Sequence, residues 1–275
     1  MDCKALVAIL MSCAAWASPA LGESRIAGLA PGELPAPRLP VAGSCPAIAQ
    51  CVAPELIPIR PGWITPFPAG LAWDGTHLWV GMAFGSNTLY RIDPATCSIS
   101  RTIQAPDANI SGLAWDGTAL WCLAEEQATI YRLDPVTGDI LTQFPALSQD
   151  GGDLAWDNGY LWITDNRFRR IYKLDPRDGS VVASFPSPAV IPGGLEFHEG
   201  ILMLTDASQD RILYIDPDGP NVLQSCASPD AHPWGLAMTP SGLWNGGIAS
   251  REYLLGQAPT SGKRTTWGEL KLHYR

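Results

Sequence analysis

The chain has 275 residues, of which 46% are hydrophobic and 16% charged, and its formal net charge is −9 at pH 7. This acidic balance argues against nucleic acid and anionic membrane surfaces as partners, because both attract clusters of basic residues. No apolar run of about 18 residues follows the N-terminal region, so the sequence predicts no transmembrane span.

The first segment, residues 1–20, has the pattern of a secretory signal peptide. An apolar stretch follows Lys4, and small-x-small cleavage motifs occur at 15–17 and 18–20. The pattern predicts a secreted or periplasmic protein. Two alternatives remain open: a lipid anchor through Cys13, which follows a small residue, and a buried N-terminal element.

The rest of the chain divides into three parts. Residues 21–54 are rich in Pro, Ala and Gly and are interpreted as an extended or disordered leader. Residues 55–258 carry the regular pattern described next. Residues 259–275 form a tail, which contains both a capping-box pattern and a strand-like alternation of apolar residues.

Five segments begin with nearly the same phrase, typified by Gly70-Leu71-Ala72-Trp73-Asp74-Gly75. The leucines of this phrase are spaced by 42, 41, 41 and 41 residues, at Leu71, Leu113, Leu154, Leu195 and Leu236. A period of about 40–45 residues with four strand-like runs is typical of a β-propeller. The sequence therefore predicts an all-β fold, a five-bladed propeller of four-stranded antiparallel blades.

The first repeat shows how a blade is built. Its predicted strands, from the innermost outwards, are 71–73, 78–82, 89–92 and 98–104. Asp-Gly and Asp-Pro pairs mark the turns between them. Large aromatic residues recur at fixed blade positions and are predicted to pack between blades: Trp79, Trp121, Trp162, Trp244, Tyr90, Tyr131 and Tyr172.

The last repeat lacks an outer strand. Its third strand is predicted near 253–255, and Pro259 and Gly262 follow soon after. The run Leu56–Arg60 precedes the first inner strand, where other repeats have an outer strand. We therefore expect this N-terminal run to pair with the last blade, close the ring and cover its open edge.

The phrases Gly-Leu-x-Trp-Asp-Gly-x-x-Leu-Trp and Leu-Tyr-Arg-Ile-Asp-Pro resemble those of extracytoplasmic bacterial propellers. The groups concerned are glutamine-cyclotransferase-like, gluconolactonase-like and NHL-type propellers. The first of these is five-bladed and has a Glu-Ser-Thr-Gly-like stretch after the second strand of its first repeat. Here 80–84 holds no acid, whereas Leu195-Glu196-Phe197 resembles an acidic inner-strand motif of that family.

Two residues are candidates for catalysis at the mouth of the channel. Glu196 stands where the other four repeats have alanine, and an acid near the axis could act as a general base. His232 lies in the loop that enters the fifth inner strand and could work beside it. The alternative for Glu196 is a structural acid bound to the backbone or to an arginine. The alternative for His232 is a surface histidine without function.

A second group comprises acids that could bind a ligand: Glu125, Asp153, Asp165 and Asp206. Calcium or magnesium would need several of these oxygens to converge. Thr-Asp at a strand end also anchors the following loop through its side chain. We take the anchoring interpretation for Asp165 and Asp206, so no metal site and no cofactor is predicted.

Removal of the signal would leave five cysteines: Cys45, Cys51, Cys97, Cys122 and Cys226. Cys97 sits near the turn position that Gly138 and Gly179 occupy in later repeats. We predict a disulfide between Cys51 and Cys97, with a local Cys45–Cys51 bridge as the alternative. Cys122 falls on a core strand and should stay reduced.

The resulting hypothesis is an exported propeller that acts as a binding or interaction module at the channel mouth. Its ligand would be an unknown protein, peptide or small molecule. One alternative is an enzyme that uses acids at the channel mouth, a glutaminyl cyclotransferase, lactonase or lyase. A third is an arrayed surface protein without a small ligand.

Overall fold

The computed structural model describes residues 43–44, 47–52, 67–247 and 252–256, with side chains described for 67–247. Every regular element in these ranges is a β-strand. Two strands precede the repeats, and they are β1 (Gly43–Ser44) and β2 (Ala47–Val52).

The repeats form antiparallel sheets in which successive strands are neighbours. The first sheet contains β3 (Phe67–Trp73), β4 (Leu78–Ala83), β5 (Thr88–Asp93) and β6 (Ser98–Gln104). The second contains β7 (Ile110–Trp115), β8 (Leu120–Ala124), β9 (Thr129–Leu133) and β10 (Ile140–Pro145). The third contains β11 (Gly151–Asp157), β12 (Tyr160–Asp165), β13 (Arg170–Leu174) and β14 (Val181–Pro186).

Two further sheets also use the N-terminal strands. The fourth contains β15 (Pro192–His198), β16 (Ile201–Asp206), β17 (Arg211–Ile215) and β18 (Val222–Ala227), and β1 pairs in parallel with β18. The fifth contains β19 (Pro233–Thr239), β20 (Gly242–Gly247) and β21 (Glu252–Gly256), and β2 pairs antiparallel with β21.

The first strands of the five sheets form a ring. β3 contacts β7, β7 contacts β11, β11 contacts β15, β15 contacts β19, and β19 contacts β3. This arrangement confirms the predicted β-propeller, and the observed strands match those predicted for the first repeat within a few residues. The inner strands surround a central channel.

Glycine allows the inner strands to approach one another closely. A Cβ atom on Gly194 would lie 1.6 Å from the Trp234 carbonyl oxygen, and one on Gly112 would lie 2.7 Å from the Asp153 Cα. Neither distance is compatible with a side chain. The glycine that opens four of the five repeat phrases is therefore required by the packing of inner strand on inner strand.

The recurring tryptophans confirm the predicted packing between blades. Trp79, Trp121, Trp162 and Trp244 are each 1% exposed. Burial of rings this large stabilises the fold by roughly 2–3 kcal/mol each. Cys122 is fully buried in the same layer, next to Ala72 and Tyr131 of the predicted core.

The aspartate of the repeat phrase does more than start a turn. The Asp116 carboxylate accepts hydrogen bonds from the amide and hydroxyl of Thr118, from Trp121 Nε1 at 3.0 Å and from Arg132 Nε at 2.6 Å. It thereby ties the turn after β7 to β8 and β9. The same arrangement recurs in the two flanking sheets, as Asp74 with Trp79 and Arg91, and Asp157 with Trp162 and Lys173.

The N-terminal strand of the fifth sheet is not the predicted one. The place beside β21 expected for Leu56–Arg60 is held by Ala47–Val52, with Cys51 opposite Tyr253. Residues 56–60 lie outside the described ranges. The difference has a physical reason, since Ala47–Val52 contains no proline and can donate all of its backbone N–H groups, whereas Pro58 interrupts the other run. Strand pairing thus begins inside the segment interpreted as a leader.

Candidate functional site

The channel carries an aspartate at the level where other repeats have glycine. Asp153 lies on β11 and is 0% exposed. Its Oδ1 accepts hydrogen bonds from the amides of Leu113 (3.0 Å) and Leu154 (2.8 Å), and its Oδ2 accepts one from the Leu195 amide (3.0 Å). The Leu236 amide also bonds this carboxyl.

These four leucines are the equivalent residues of the second to fifth repeats, so their amides point inwards from four different sheets. Because all four reach one carboxyl group, Asp153 lies at the axis and fills the channel at this level. Burial raises the pKa of Asp153 well above its usual range, and the amide hydrogen bonds oppose that shift.

Glu196 lies further along the same channel. It follows Gly194, the equivalent of Asp153, by two residues on an inner strand, which places it about 6–7 Å along the axis on the same face. Its Oε2 accepts a hydrogen bond from the Met238 amide at 3.1 Å, and the Phe197 amide bonds it as well. Burial raises the pKa of Glu196 to about 8.

Glu196 lines a cavity of about 130 Å³ at this end of the channel. The other lining residues come from all five inner strands, and they are Leu71, Ala72, Trp73, Leu113, Ala114, Trp115, Leu154, Ala155, Trp156, Phe197 and Met238. Among the described residues that line the cavity, Glu196 is the only titratable one. A partly accessible carboxyl with a raised pKa can exchange a proton with a bound molecule near neutral pH.

The opposite end of the channel carries Glu125, one of the predicted ligand-binding acids. Asn109 donates from Nδ2 to Glu125 Oε2 at 3.3 Å and accepts from the Phe84 amide at 2.9 Å. Burial, with a smaller contribution from Asp150, raises the pKa of Glu125 to about 7.

Asp165 and Asp206 are the last residues of β12 and β16, and both are almost fully buried. Asp165 accepts hydrogen bonds from the Ser148 hydroxyl and the Phe168 amide. Asp206 accepts from the Val190 amide and from the amide and hydroxyl of Ser208. Both side chains thus anchor the loops beside them.

The structure does not bring the two candidate catalytic residues together. His232 is exposed immediately before β19, where its amide donates to Asp210 and its Nδ1 contacts the Ala207 carbonyl oxygen at 2.9 Å. Glu196 meets the Met238 amide six residues further along, which corresponds to about 20 Å of extended chain. Asp153 lies between the two ends.

Sequence reasoning missed the most unusual feature of the channel, its inward-facing backbone amides. The signal was present, because Asp153 replaces the glycine of the other four repeats in the same way that Glu196 replaces alanine. Among residues 67–247, no group of three or more His, Cys, Asp or Glu side chains is placed to hold a metal ion. The described residues also contain no helix able to cross a membrane.

Comparison of the sequence with protein-family models and with curated proteins found no match. Among solved structures, glutaminyl cyclase of Myxococcus xanthus is similar with a TM-score of 0.63 and 17% identity, covering 76% of this chain and 94% of that one. The WD40 propeller domain of Doa1 has a TM-score of 0.50 and 13% identity, covering 70% of this chain and 64% of that one.

Streptogramin B lyase has a TM-score of 0.46 and 20% identity, covering 66% of this chain and 61% of that one. At these identities the likeness concerns the fold. The chain is a β-propeller that resembles the propeller of glutaminyl cyclase in architecture.

Proposed function

We propose that this protein is an exported binding module whose ligand occupies the channel cavity beside Glu196. The observation that carries the proposal is the lone carboxyl in a cavity lined by all five inner strands. Trp73, Trp115, Trp156 and Phe197 occupy equivalent positions on four of these strands, and the accessible lining of the cavity is mostly polar. Small-molecule sites in proteins are concave, and a few convergent polar groups fix the orientation of the ligand.

Binding is favoured over catalysis because the cavity offers one titratable side chain. Most acid–base mechanisms use a second group within hydrogen-bond reach of the reacting atoms. Glu125 and His232 belong to the opposite end of the channel, and the buried carboxyl of Asp153 is occupied by backbone amides.

The test compares the wild type with Glu196→Ala in a ligand screen. The variant should fold normally, because alanine stands at this position in the other four repeats. A panel of small carboxylates, amines, sugars and glutaminyl peptides is added to both proteins, and the melting temperature is measured. A ligand of the cavity raises the melting temperature of the wild type more than that of the variant. Equal shifts in both proteins for every active compound would place binding elsewhere.

A second candidate is an enzyme in which Glu196 transfers protons. It is favoured by the pKa of about 8, which suits a general acid or base near neutral pH, and by the fold shared with a glutaminyl cyclase. Cyclisation of a glutaminyl peptide should then be measurable in the wild type and lost in Glu196→Gln. Retained turnover in the folded variant would remove Glu196 from the mechanism.

Export is part of the same proposal, and it rests on the sequence of residues 1–20, which lie outside the described ranges. Expression in a bacterial host followed by mass measurement of the mature chain tests it. Cleavage after Ala17 or Ala20 supports export, a lipid adduct on Cys13 supports the anchored alternative, and an intact N-terminus contradicts both.

A further inference from the structure

We propose that the cavity beside Glu196 binds a small carboxylate, held by backbone amides of the inner strands and by the carboxyl group of Glu196. This inference rests on the proposed binding function and names the chemical class of the ligand. The protein itself supplies the precedent, since the two acidic side chains inside the channel are both bound by inner-strand amides.

The first ring of amides shows how a carboxyl group is accommodated. Amides of Leu113, Leu154 and Leu195 donate to Asp153 at 2.8–3.0 Å, which shows that the N–H groups at this position of the inner strands face the channel. In an antiparallel strand, alternate residues direct their N–H and C=O groups to the same side. The residues two positions further along therefore face the channel too.

Two amides at this second position of the inner strands bind Glu196. Its carboxyl accepts the amides of Phe197 and Met238. The equivalent residues of the other three repeats are Trp73, Trp115 and Trp156, and all three line the cavity. Their amides are thus directed at the space in which a ligand would sit, as the leucine amides are directed at Asp153.

The walls of the cavity limit the size of the ligand. Ala72, Ala114 and Ala155 stand where the fourth repeat has Glu196, and they leave the space that a longer side chain would fill. The cavity volume of about 130 Å³ suits an anion of a few non-hydrogen atoms such as formate, acetate or propionate.

The charges around the cavity decide the protonation state in which a carboxylate can bind. Asp153 on β11 lies one level away, and His198 and Glu199 follow Glu196 on β15 and its turn. The aspartates at the ends of the first three inner strands are each bound to a cation, as Asp74–Arg91, Asp116–Arg132 and Asp157–Lys173.

An ionised Glu196 would repel an incoming carboxylate. A protonated Glu196 would instead donate its O–H to the ligand while its carbonyl oxygen still accepts an amide. The pKa of about 8 keeps this proton in place at neutral pH. Binding should therefore be coupled to the proton on Glu196 and should weaken as the pH rises above 8.

The experiment titrates the full protein with sodium formate, acetate and propionate at pH 6 and pH 9, followed by calorimetry and by tryptophan fluorescence. Sodium chloride and sodium nitrate at equal ionic strength serve as competing anions. We expect saturable carboxylate binding that is about tenfold weaker at pH 9, because one pH unit above its pKa about nine-tenths of the Glu196 carboxyl is ionised. Chloride or nitrate binding as tight as that of the carboxylates would overturn the assignment, and so would the absence of carboxylate binding.

Glu196→Gln is the diagnostic variant. Its amide keeps the shape of the side chain and can donate to the ligand at any pH, so binding should persist and lose its dependence on pH. Glu199→Gln is the matched control, because it removes a neighbouring exposed charge and should leave the pH dependence in place. A tenfold pH effect that survives in Glu196→Gln would contradict the role given to Glu196.

The wider panel of carboxylates, amines, sugars and glutaminyl peptides, used to test the proposed function, shows which of the two proposals fails. Compounds other than carboxylates that bind the wild type but not Glu196→Ala would show that the cavity is a binding site and that the ligand class is wrong. If no member of the panel binds, both proposals are wrong.

Discussion

At the scale of single residues, the repeat aspartate connects local structure with the packing of a blade. Asp116 collects a turn amide, an indole N–H and a guanidinium on one carboxylate whose side chain is 5% exposed. The two side-chain donors are themselves held in place by the core, because Trp121 is buried and the Arg132 guanidinium lies over its ring at 5.9 Å. The cluster fixes the rotamer of the largest side chain between two blades.

Asp116→Ala should therefore destabilise the protein. The substitution leaves the Trp121 indole N–H without its acceptor and Arg132 without its ion pair. The expected loss is about 1–3 kcal/mol in the free energy of unfolding. Asp139→Ala, at an exposed carboxylate on the turn after β9, is the control and should cost less than about 0.5 kcal/mol. Urea unfolding followed by tryptophan fluorescence measures both, and equal effects would contradict the role of the cluster.

The effect of Asp116→Ala should depend on pH. Burial tends to raise the pKa of Asp116, but the hydrogen bonds from Arg132, Thr118 and Ala119 hold it below the ordinary value of 3.8. A depressed pKa stabilises the fold above pH 3.8, and this contribution is lost as the pH falls through the pKa of the folded state. The difference between wild type and Asp116→Ala should be full at pH 6 and should shrink below about pH 3.8.

The roles of repeated residues could be predicted from the sequence, whereas those of residues that occur in only one repeat could be predicted only in part. Trp79, Trp121 and Cys122 were predictable because burial repeats with the period of the blades. Glu196 could be singled out because it breaks the repeat. What it contacts could not be predicted, since the Met238 amide lies 42 residues away and the direction of a backbone N–H depends on strand register.

At the scale of elements, the N-terminal strand completes the fifth sheet. β2 covers the edge of β21, which otherwise would present a row of unpaired N–H and C=O groups. The pairing joins residues near the beginning of the chain to residues near its end. A contact of this kind contributes to stability and protects against edge-to-edge association.

Deletion of residues 1–52 should promote aggregation, because it exposes the edge of β21. Deletion of residues 1–42 is the matched control, since it keeps β1 and β2, and it should remain monomeric. Light scattering during a thermal ramp compares the two proteins. A 53–275 fragment that stays monomeric with the melting temperature of the control would show that β2 does not protect the edge.

The cysteines make a separate prediction about the same segment. Cys97 has a φ of 56°, in the left-handed region that Gly138 and Gly179 occupy at φ 81° and 75° in the equivalent turns. This conformation is strained for cysteine. The turn geometry therefore does not explain why Cys97 stands here, and a disulfide would. Of the described cysteine side chains, Cys122 is a free thiol and Cys97 and Cys226 are not.

We expect peptide mapping without reduction to find Cys97 joined to Cys51, and Cys226 joined to Cys45. The strand pairing supports both disulfides. Cys51 lies on β2 of the fifth sheet, which packs on the first sheet, where Cys97 lies. Gly43, two residues before Cys45 in the sequence, pairs with Cys226. Closing a loop of about 45 residues between Cys51 and Cys97 would contribute roughly 3–4 kcal/mol by loop entropy. A Cys45–Cys51 peptide with alkylated Cys97 would contradict this pairing. The side chains of Cys45 and Cys51 lie outside those described.

Elements were predictable where the chain repeats itself. The four strands of the first blade follow from alternation and turn residues, and the structure confirms them. The strand of the leader could not be predicted, because Ala47–Val52 has no repeat to compare with and the 56–60 run stands closer to the first inner strand. Which strand pairs with β21 depends on where the closed ring brings the N-terminal segment, and a local sequence pattern does not contain that information.

At the scale of the whole molecule, the fold should be independent of metal ions. Asp165 and Asp206, the acids with the most metal-like placement in the sequence, are committed to amides and hydroxyls of their own loops. Dialysis against a chelator should leave the melting temperature unchanged within about 1 °C. A fall of several degrees that calcium restores would show that a site exists and would overturn the anchoring interpretation.

The ring itself depends on what holds its centre. Asp153 bonds amides of its own strand and of three other inner strands, so a single side chain connects four of the five sheets. Hydrophobic packing acts mainly between neighbouring blades, whereas this carboxyl also connects blades that are not neighbours in the ring. Its loss should therefore affect the cooperativity of unfolding as well as the stability.

Asp153→Gly is the informative substitution, because glycine is the residue of the other four repeats and introduces no steric conflict. It leaves buried amides without an acceptor, at about 1–3 kcal/mol for each amide that water does not reach. We expect a loss of several kcal/mol and a broader transition, with Asp153→Asn intermediate because its amide oxygen still accepts. Sodium formate should raise the melting temperature of Asp153→Gly more than that of the wild type, since formate can occupy the vacated amides. A glycine variant as stable as the wild type would show that the ring is held by side-chain packing between neighbouring blades alone.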